Sequence, residues 1–254
     1  MTSRATSPAP ADVAPRVTAR VAVLASGGGS NLQALLDHAE RAGGAGTSRA
    51  AEVVLVASNQ PAAGALERAR ARGIAAEVLA DPGDARAMAD LLDRHAVDLV
   101  VLAGYLKLVP PEVVRRFPGR MLNVHPALLP AFGGHGMYGR RVHEAVIRSG
   151  ARVSGVTVHF VDEEYDRGPI VAQWPVPVLS GDDAASLAAR VLRAEHLLYP
   201  RAVEAVAAGT IRLEGDRVIH DPMAAGEMVP VDVAFALATD AAHAAGSVAR
   251  LLTY

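Results

Sequence analysis

Asn123 and His125 stand two residues apart in MLNVHPALLPAF, residues 121–132. In an extended chain they share one side of a strand, and Pro126 stops that strand directly after them. A strand end of this kind presents an amide and an imidazole to one cleft; the plainer reading is a capped strand with a satisfied histidine. A second group lies in VHFVDEEYDRGPI, residues 158–170, where Asp162, Glu163, Glu164 and Asp166 crowd a short loop before Gly168 and Pro169. Most acidic loops are simply solvated. A carboxylate folded back against His125, however, would favour the charged ring, raise its pKa and let the pair handle a proton near neutral pH. The sequence does not say which carboxylate does so.

A third stretch, LASGGGSNLQALL, residues 24–36, runs from an apolar strand through three glycines into a helical pattern. Backbone N–H groups of such a turn, added to the partial positive charge of a helix start, suit a phosphate. No Gly-Lys-Ser/Thr follows the loop, and Leu32 stands where a dinucleotide fingerprint needs its third glycine. A tight turn capped by Ser30 or Asn31 reads equally well from these residues alone. His135, His143 and His159 lack a recognised ligand spacing, so no metal site is expected. AGYLKLVPP, residues 103–111, reads as a strand end and turn whose Lys107 could seat a carboxylate, and Arg86 falls on a helical pattern whose default is a solvated face.

These groups need a frame, and the chain supplies one. From Arg20 short β-branched runs alternate with helical patterns: RVAVLA, then 31–42; EVVLVAS, then 62–72; AAEVL, then 85–94; DLVVLAG, then about 110–116; RMLNVHP. Strands alternating with helices predict a parallel sheet covered on both faces, whose carboxyl edge is where ligands bind. ARVSGVTVHFV and PIVAQWPVPV read as strands that extend the same sheet. A long helix is expected over about 182–209, with Asp182 and Asp183 at its amino end. IRLEGDRVIH is expected to form a hairpin turning at Gly215 and Asp216.

Residues 1–18, rich in Ala, Pro, Ser and Thr, read as a flexible tail. The segment 221–254, Ala-rich and ending in SVARLLTY, could be a helix packed on the body or on a partner. The expected fold is α/β: one Rossmann-like three-layer domain over 19–220 with a mostly parallel sheet and antiparallel strands in its C-terminal half. The chain has 254 residues, 51% of them hydrophobic, with a net charge of −2, an ordinary globular balance in which an anionic ligand must meet a local basic pocket. The absence of cysteine excludes disulfides, thiolate metal sites and cysteine nucleophiles together. No apolar run reaches the ~18 residues of a membrane span, and the first twenty residues lack the apolar centre of a signal peptide. The expected location is cytoplasmic, with neither membrane nor nucleic acid as partner.

Taken in order, SGGGSNLQALL, LAGYLKLVPP, LNVHPALLP and TVHFVDEEYDRGPI resemble the glycinamide ribonucleotide transformylases, folate-dependent formyltransferases of purine synthesis, over about residues 20–220. The resemblance implies formyl transfer from 10-formyltetrahydrofolate, as cosubstrate, to the amine of glycinamide ribonucleotide, without a metal. It implies that Gly29, Ser30 and Asn31 hold the substrate's 5′-phosphate and that Glu195, in ARVLRAEHLLYP, meets the ribose hydroxyls. Folate-side positions fall on Arg86, Leu106, Lys107, Leu108, Val109 and Asn123. Asn123 and His125 would donate hydrogen bonds to the oxyanion of the tetrahedral intermediate, and Asp166 would keep His125 protonated and oriented. Monomers and dimers both occur in such a family, so a homodimer is an open option.

The chain departs from the family pattern at three places. The loop reads GGG where many relatives have GNG or GRG. Arg167 follows Asp166 where Gly or Thr is usual, which could alter the loop or supply a contact to the folate tail. Gly133 replaces the commoner proline. Methionyl-tRNA formyltransferases share the signature but add a tRNA-binding barrel, and formyltetrahydrofolate hydrolases add an amino-terminal regulatory domain; the layout here fits neither. A silent nucleotide-binding module would not need Asn123, His125 and Asp166 together.

Overall fold

The computed structural model describes residues 18–43 and 50–221. Along them run β1 (Ala19–Leu24), α1 (Ser30–Gly43), β2 (Ala51–Ser58), α2 (Gly64–Ala71), β3 (Ala75–Val78), α3 (Ala85–Arg94), β4 (Leu99–Leu102), α4 (Pro111–Val114), β5 (Met121–His125), α5 (Arg140–Ser149), β6 (Val153–Phe160), β7 (Ile170–Pro177), α6 (Ala184–Ala207), β8 (Ile211–Glu214) and β9 (Arg217–His220). Seven strands form one sheet in the order β3-β2-β1-β4-β5-β6-β7, and β8 pairs with β9 in a separate hairpin. β1 to β5 pair in parallel, whereas β6 and β7 are antiparallel additions. The α/β class, the mostly parallel sheet and its antiparallel C-terminal half are those the sequence predicts. The expected packing of the Ala-rich segment after 221 and the tail over 1–18 lie, but for Thr18, outside the described residues.

Side-chain alternation along β1 produces the layers. Val21 and Val23 face a core shared with Leu32 and Leu35 of α1 and Leu187, Val191 and Leu198 of α6. Ala22 and Leu24 face a second core built with Met88, Leu91 and Leu92 of α3 and Val113 of α4. Both faces of the sheet are therefore buried, which is why its strands read as unbroken apolar runs.

α5 is a helix that the reading of the sequence did not anticipate. Its N-cap is Gly139, which offers no capping side chain, after a glycine-rich stretch that carries no start signal. Tertiary packing of Val142, His143 and Val146 supplies the missing definition, and left-handed Gly150 (φ 73°) closes it. No helix among the described residues is long and apolar enough to cross a membrane.

Candidate active site

β1 and β4 lie side by side at the centre of the sheet, where the strand order reverses, and their connections leave in opposite directions. At the carboxyl end of β1, β4 and β5 opens a cavity of about 760 Å³, reached by Asn31, Leu102, the 104–109 turn, Asn123, His125 and Glu195. α5 and the segment before it form another wall, from Gly134 to Arg141, and Asp166 closes the far side.

The register of β5 brings the polar groups together. Asn123 pairs across the sheet with His159, and His125 pairs with Thr157. Asn123 Nδ2 lies 3.0 Å from His159 Nε2 and 3.4 Å from Asp166 Oδ1. His125 Nδ1 lies 3.5 Å from Asp166 Oδ2, and its Nε2–H donates to the Phe132 carbonyl at 2.9 Å. Asp166 Oδ2 also accepts from Gly134 N–H at 2.9 Å. Of the four loop carboxylates, Asp166 is the one folded onto His125.

Backbone strain accompanies this arrangement. Phe132 (φ 57°) and Asp166 (φ 58°) both adopt the left-handed region that non-glycine residues avoid. Gly133 has no room for a side chain: a Cβ there would lie 2.4 Å from Leu129 Cδ2 and 3.2 Å from Asp166 Cβ. The glycine in place of proline thus lets the segment lie flat against Asp166.

The protonation of His125 differs from expectation. Burial pushes the ring below the ordinary imidazole range, and Asp166 together with the Phe132 carbonyl offsets this only in part. The expected net rise from a carboxylate neighbour fails because His125 is 3% exposed, and removing a charged ring from water outweighs an ion pair at 3.5 Å. A neutral ring can donate to only one of its two oxygen neighbours, so new negative charge beside it would draw a proton onto the other nitrogen. For Asp166, burial raises the carboxyl, but the groups around it, the His125 ring and Gly134 N–H among them, more than compensate, and it stays ionised.

The glycine loop serves packing as well as recognition. Gly29 (φ 74°) is buried, and a Cβ there would meet Ala65 Cα of α2 at 2.8 Å. Gly27 and Gly28 are exposed with open space around them, and Ser30 is exposed at the start of α1. Gln33 N–H donates to Gly29 O, so the N–H groups of Ser30, Asn31 and Leu32 precede the first closed turn. Asn31 Nδ2 donates to Glu195 Oε2 at 2.7 Å, while Asn31 Oδ1 is buried without a partner. Burial pushes the Glu195 carboxyl up to about 7, although the Asn31 bond works against the rise.

The remaining expected residues divide. Leu106, Lys107, Leu108 and Val109 line the cavity. Arg86 does not: it sits on α3 with its side chain 92% exposed, 3.9 Å from Asp90. Arg167 is exposed and also lies off the cavity wall. Sequence reasoning missed His159 and Thr157. His159 has no recognised ligand spacing to mark it, and the antiparallel register that puts it beside Asn123 has no local signal. Thr157 Oγ1 donates to Ala127 O at 2.7 Å and accepts from Leu129 N at 3.0 Å and Gln173 Nε2 at 3.0 Å, fixing the turn after His125. Among the described residues no group of three or more metal-ligating side chains is placed to hold an ion.

Comparison with known proteins shows what the chain as a whole is similar to. The Formyl transferase family matches residues 19–203. The chain is 46% identical over 206 residues to the chloroplastic phosphoribosylglycinamide formyltransferase of Arabidopsis thaliana, covering 78% of this chain and 69% of that protein. It is 38% identical over 220 residues to phosphoribosylglycinamide formyltransferase of Escherichia coli K12, covering 82% of this chain and 99% of the other. The crystal structure of glycinamide ribonucleotide transformylase 1 from Symbiobacterium toebii superposes with a TM-score of 0.72 at 41% identity, over 81% of this chain and 95% of that one.

Proposed function

This chain belongs to the formyl transferase family, and from that premise we propose that it is a folate-dependent phosphoribosylglycinamide formyltransferase, with residues 19–220 as its catalytic unit. The reaction moves a formyl group from 10-formyltetrahydrofolate to the amine of 5′-phosphoribosylglycinamide. The observation that carries the reading is the convergence of Asn123, His125 and Asp166 at the end of β5.

The free amine attacks the formyl carbon. A C–N bond forms, the carbonyl oxygen takes up negative charge, and the bond to N10 then breaks as N10 accepts the proton that the attacking nitrogen gives up. Asn123 donates a hydrogen bond to the developing oxyanion, and His125 turns its Nε2–H from the Phe132 carbonyl to the same oxygen, a role worth about 3–4 kcal/mol per well-placed donor. Asp166 accepts from the opposite side of the imidazole and stabilises its charged form as the oxyanion develops. The N–H groups at the start of α1, from Gly29 to Asn31, hold the phosphate, and Glu195 meets the ribose hydroxyls. Leu106, Lys107, Leu108 and Val109 form the folate wall; Arg86, off the cavity, can reach only a part of the folate that extends into solvent.

The test is a product assay with purified protein and 10-formyltetrahydrofolate, with and without glycinamide ribonucleotide. Formylglycinamide ribonucleotide, with loss of the folate formyl group only when the ribonucleotide is present, is the expected result. Formate released equally without it would identify a hydrolase, and no reaction would leave a binding module.

A further inference from the structure

Asn123 has two amide hydrogens, and their partners differ in quality. One points to His159 Nε2 at 3.0 Å, the other to Asp166 Oδ1 at 3.4 Å. His159 is 2% exposed, and its Nδ1 lies 2.8 Å from the Phe160 carbonyl, an acceptor that requires Nδ1 to carry a hydrogen. A neutral ring with its hydrogen there has a bare Nε2, which can only accept. That nitrogen is 3.6 Å from Asp166 Oδ1, farther than the Asn123 amide, so the amide is its partner. The backbone thus sets the His159 tautomer, and the tautomer sets which end of the Asn123 amide faces it.

We propose that His159 is a positioning residue: by accepting one amide hydrogen of Asn123 it holds the nitrogen end toward the reacting centre and leaves the second N–H, loosely held by Asp166, to donate to the formyl oxygen. Without that acceptor the amide can turn over and present its oxygen to an oxyanion, which repels it. The cross-strand pairing of residues 123 and 159 makes the arrangement a property of the sheet. This inference rests on the reading that Asn123 meets the formyl oxygen.

The experiment compares kcat and KM for both substrates in wild type, His159→Gln, His159→Leu, Asn123→Ala and the Asn123→Ala/His159→Leu double variant. His159→Leu is expected to lower kcat about tenfold or more, less than the 10²–10³ of removing a donor outright, with both KM values within about threefold. His159→Gln, whose amide oxygen can accept, is expected to recover most of that loss. In the Asn123→Ala background His159→Leu should cost less than about twofold, because a residue acting through Asn123 has nothing left to position. A His159→Leu kcat within twofold of wild type, a Gln variant as impaired as the Leu variant, or independent losses that multiply would overturn the proposal. Normal kcat in Asn123→Ala would instead bring down the reading beneath it. Should the Leu variant not fold, ¹⁵N NMR of histidine-labelled wild type decides: Nδ1 protonated and Nε2 bare is expected, and a charged ring or the opposite tautomer overturns it.

Discussion

His125 sits between a carbonyl and a carboxylate with burial opposing its charge, and this balance makes the residue-scale account testable. Asp166 raises the His125 pKa against burial, so Asp166→Asn should lower it further; a histidine NMR titration that moves the other way would contradict the pairing. Asn123→Ala should lower kcat about 10²–10³-fold if the amide meets the oxyanion, with ribonucleotide affinity unchanged as measured by calorimetry. His125 and Asn123 were legible in the sequence because i, i+2 spacing on a strand is local. Their proton balance was not, because it depends on how completely the fold excludes water from a ring that sequence shows only as a histidine.

The elements around the site hold it through bonds that no local pattern announces. Tyr199 of α6 is fully buried, and its hydroxyl reaches the Leu102 carbonyl at 2.9 Å and the Leu122 carbonyl at 3.1 Å, tying the long helix to β4 and β5 just before their functional ends. Thr157 does the same for the turn that follows β5. Thr157→Val keeps the shape but strands Leu129 N–H and the Ala127 carbonyl, and should cost about 1–3 kcal/mol of stability together with a fall in kcat. Denaturant unfolding beside steady-state kinetics checks both, and an unchanged kcat would show that the turn does not steer His125. Strand and helix periodicity made the doubly covered sheet legible from apolar runs such as RVAVLA and DLVVLAG. α5 escaped notice because its definition comes from packing of Val142 and Val146 behind an uncapped, glycine-rich start. Gly29 shows the same limit from the other side. Read as a phosphate loop glycine, it also lies where α2 leaves no space, so Gly29→Val should lower the melting temperature as well as weaken ribonucleotide binding.

At the scale of the molecule, the site is built at the expense of stability, and Glu195 makes that visible. Its carboxyl is raised from an ordinary 4.5 to about 7 by burial. Between those values the folded protein holds a proton that the unfolded chain has released, so this group's contribution to stability falls as pH rises through the window. Glu195→Gln should therefore gain stability relative to wild type from pH 5 to pH 8 in urea unfolding, and parallel curves would show that the carboxyl ionises freely in the fold. The central claim is that one carboxylate, delivered by the β6–β7 loop to the end of β5, sustains formyl transfer. Its most direct test is the single-turnover rate of formyl transfer to glycinamide ribonucleotide in wild type and Asp166→Asn, with binding of both substrates measured separately. The account predicts a fall of at least about 10²-fold in the Asp166→Asn rate with both dissociation constants little changed. A rate near wild type would show that the chemistry does not run through Asp166 and His125.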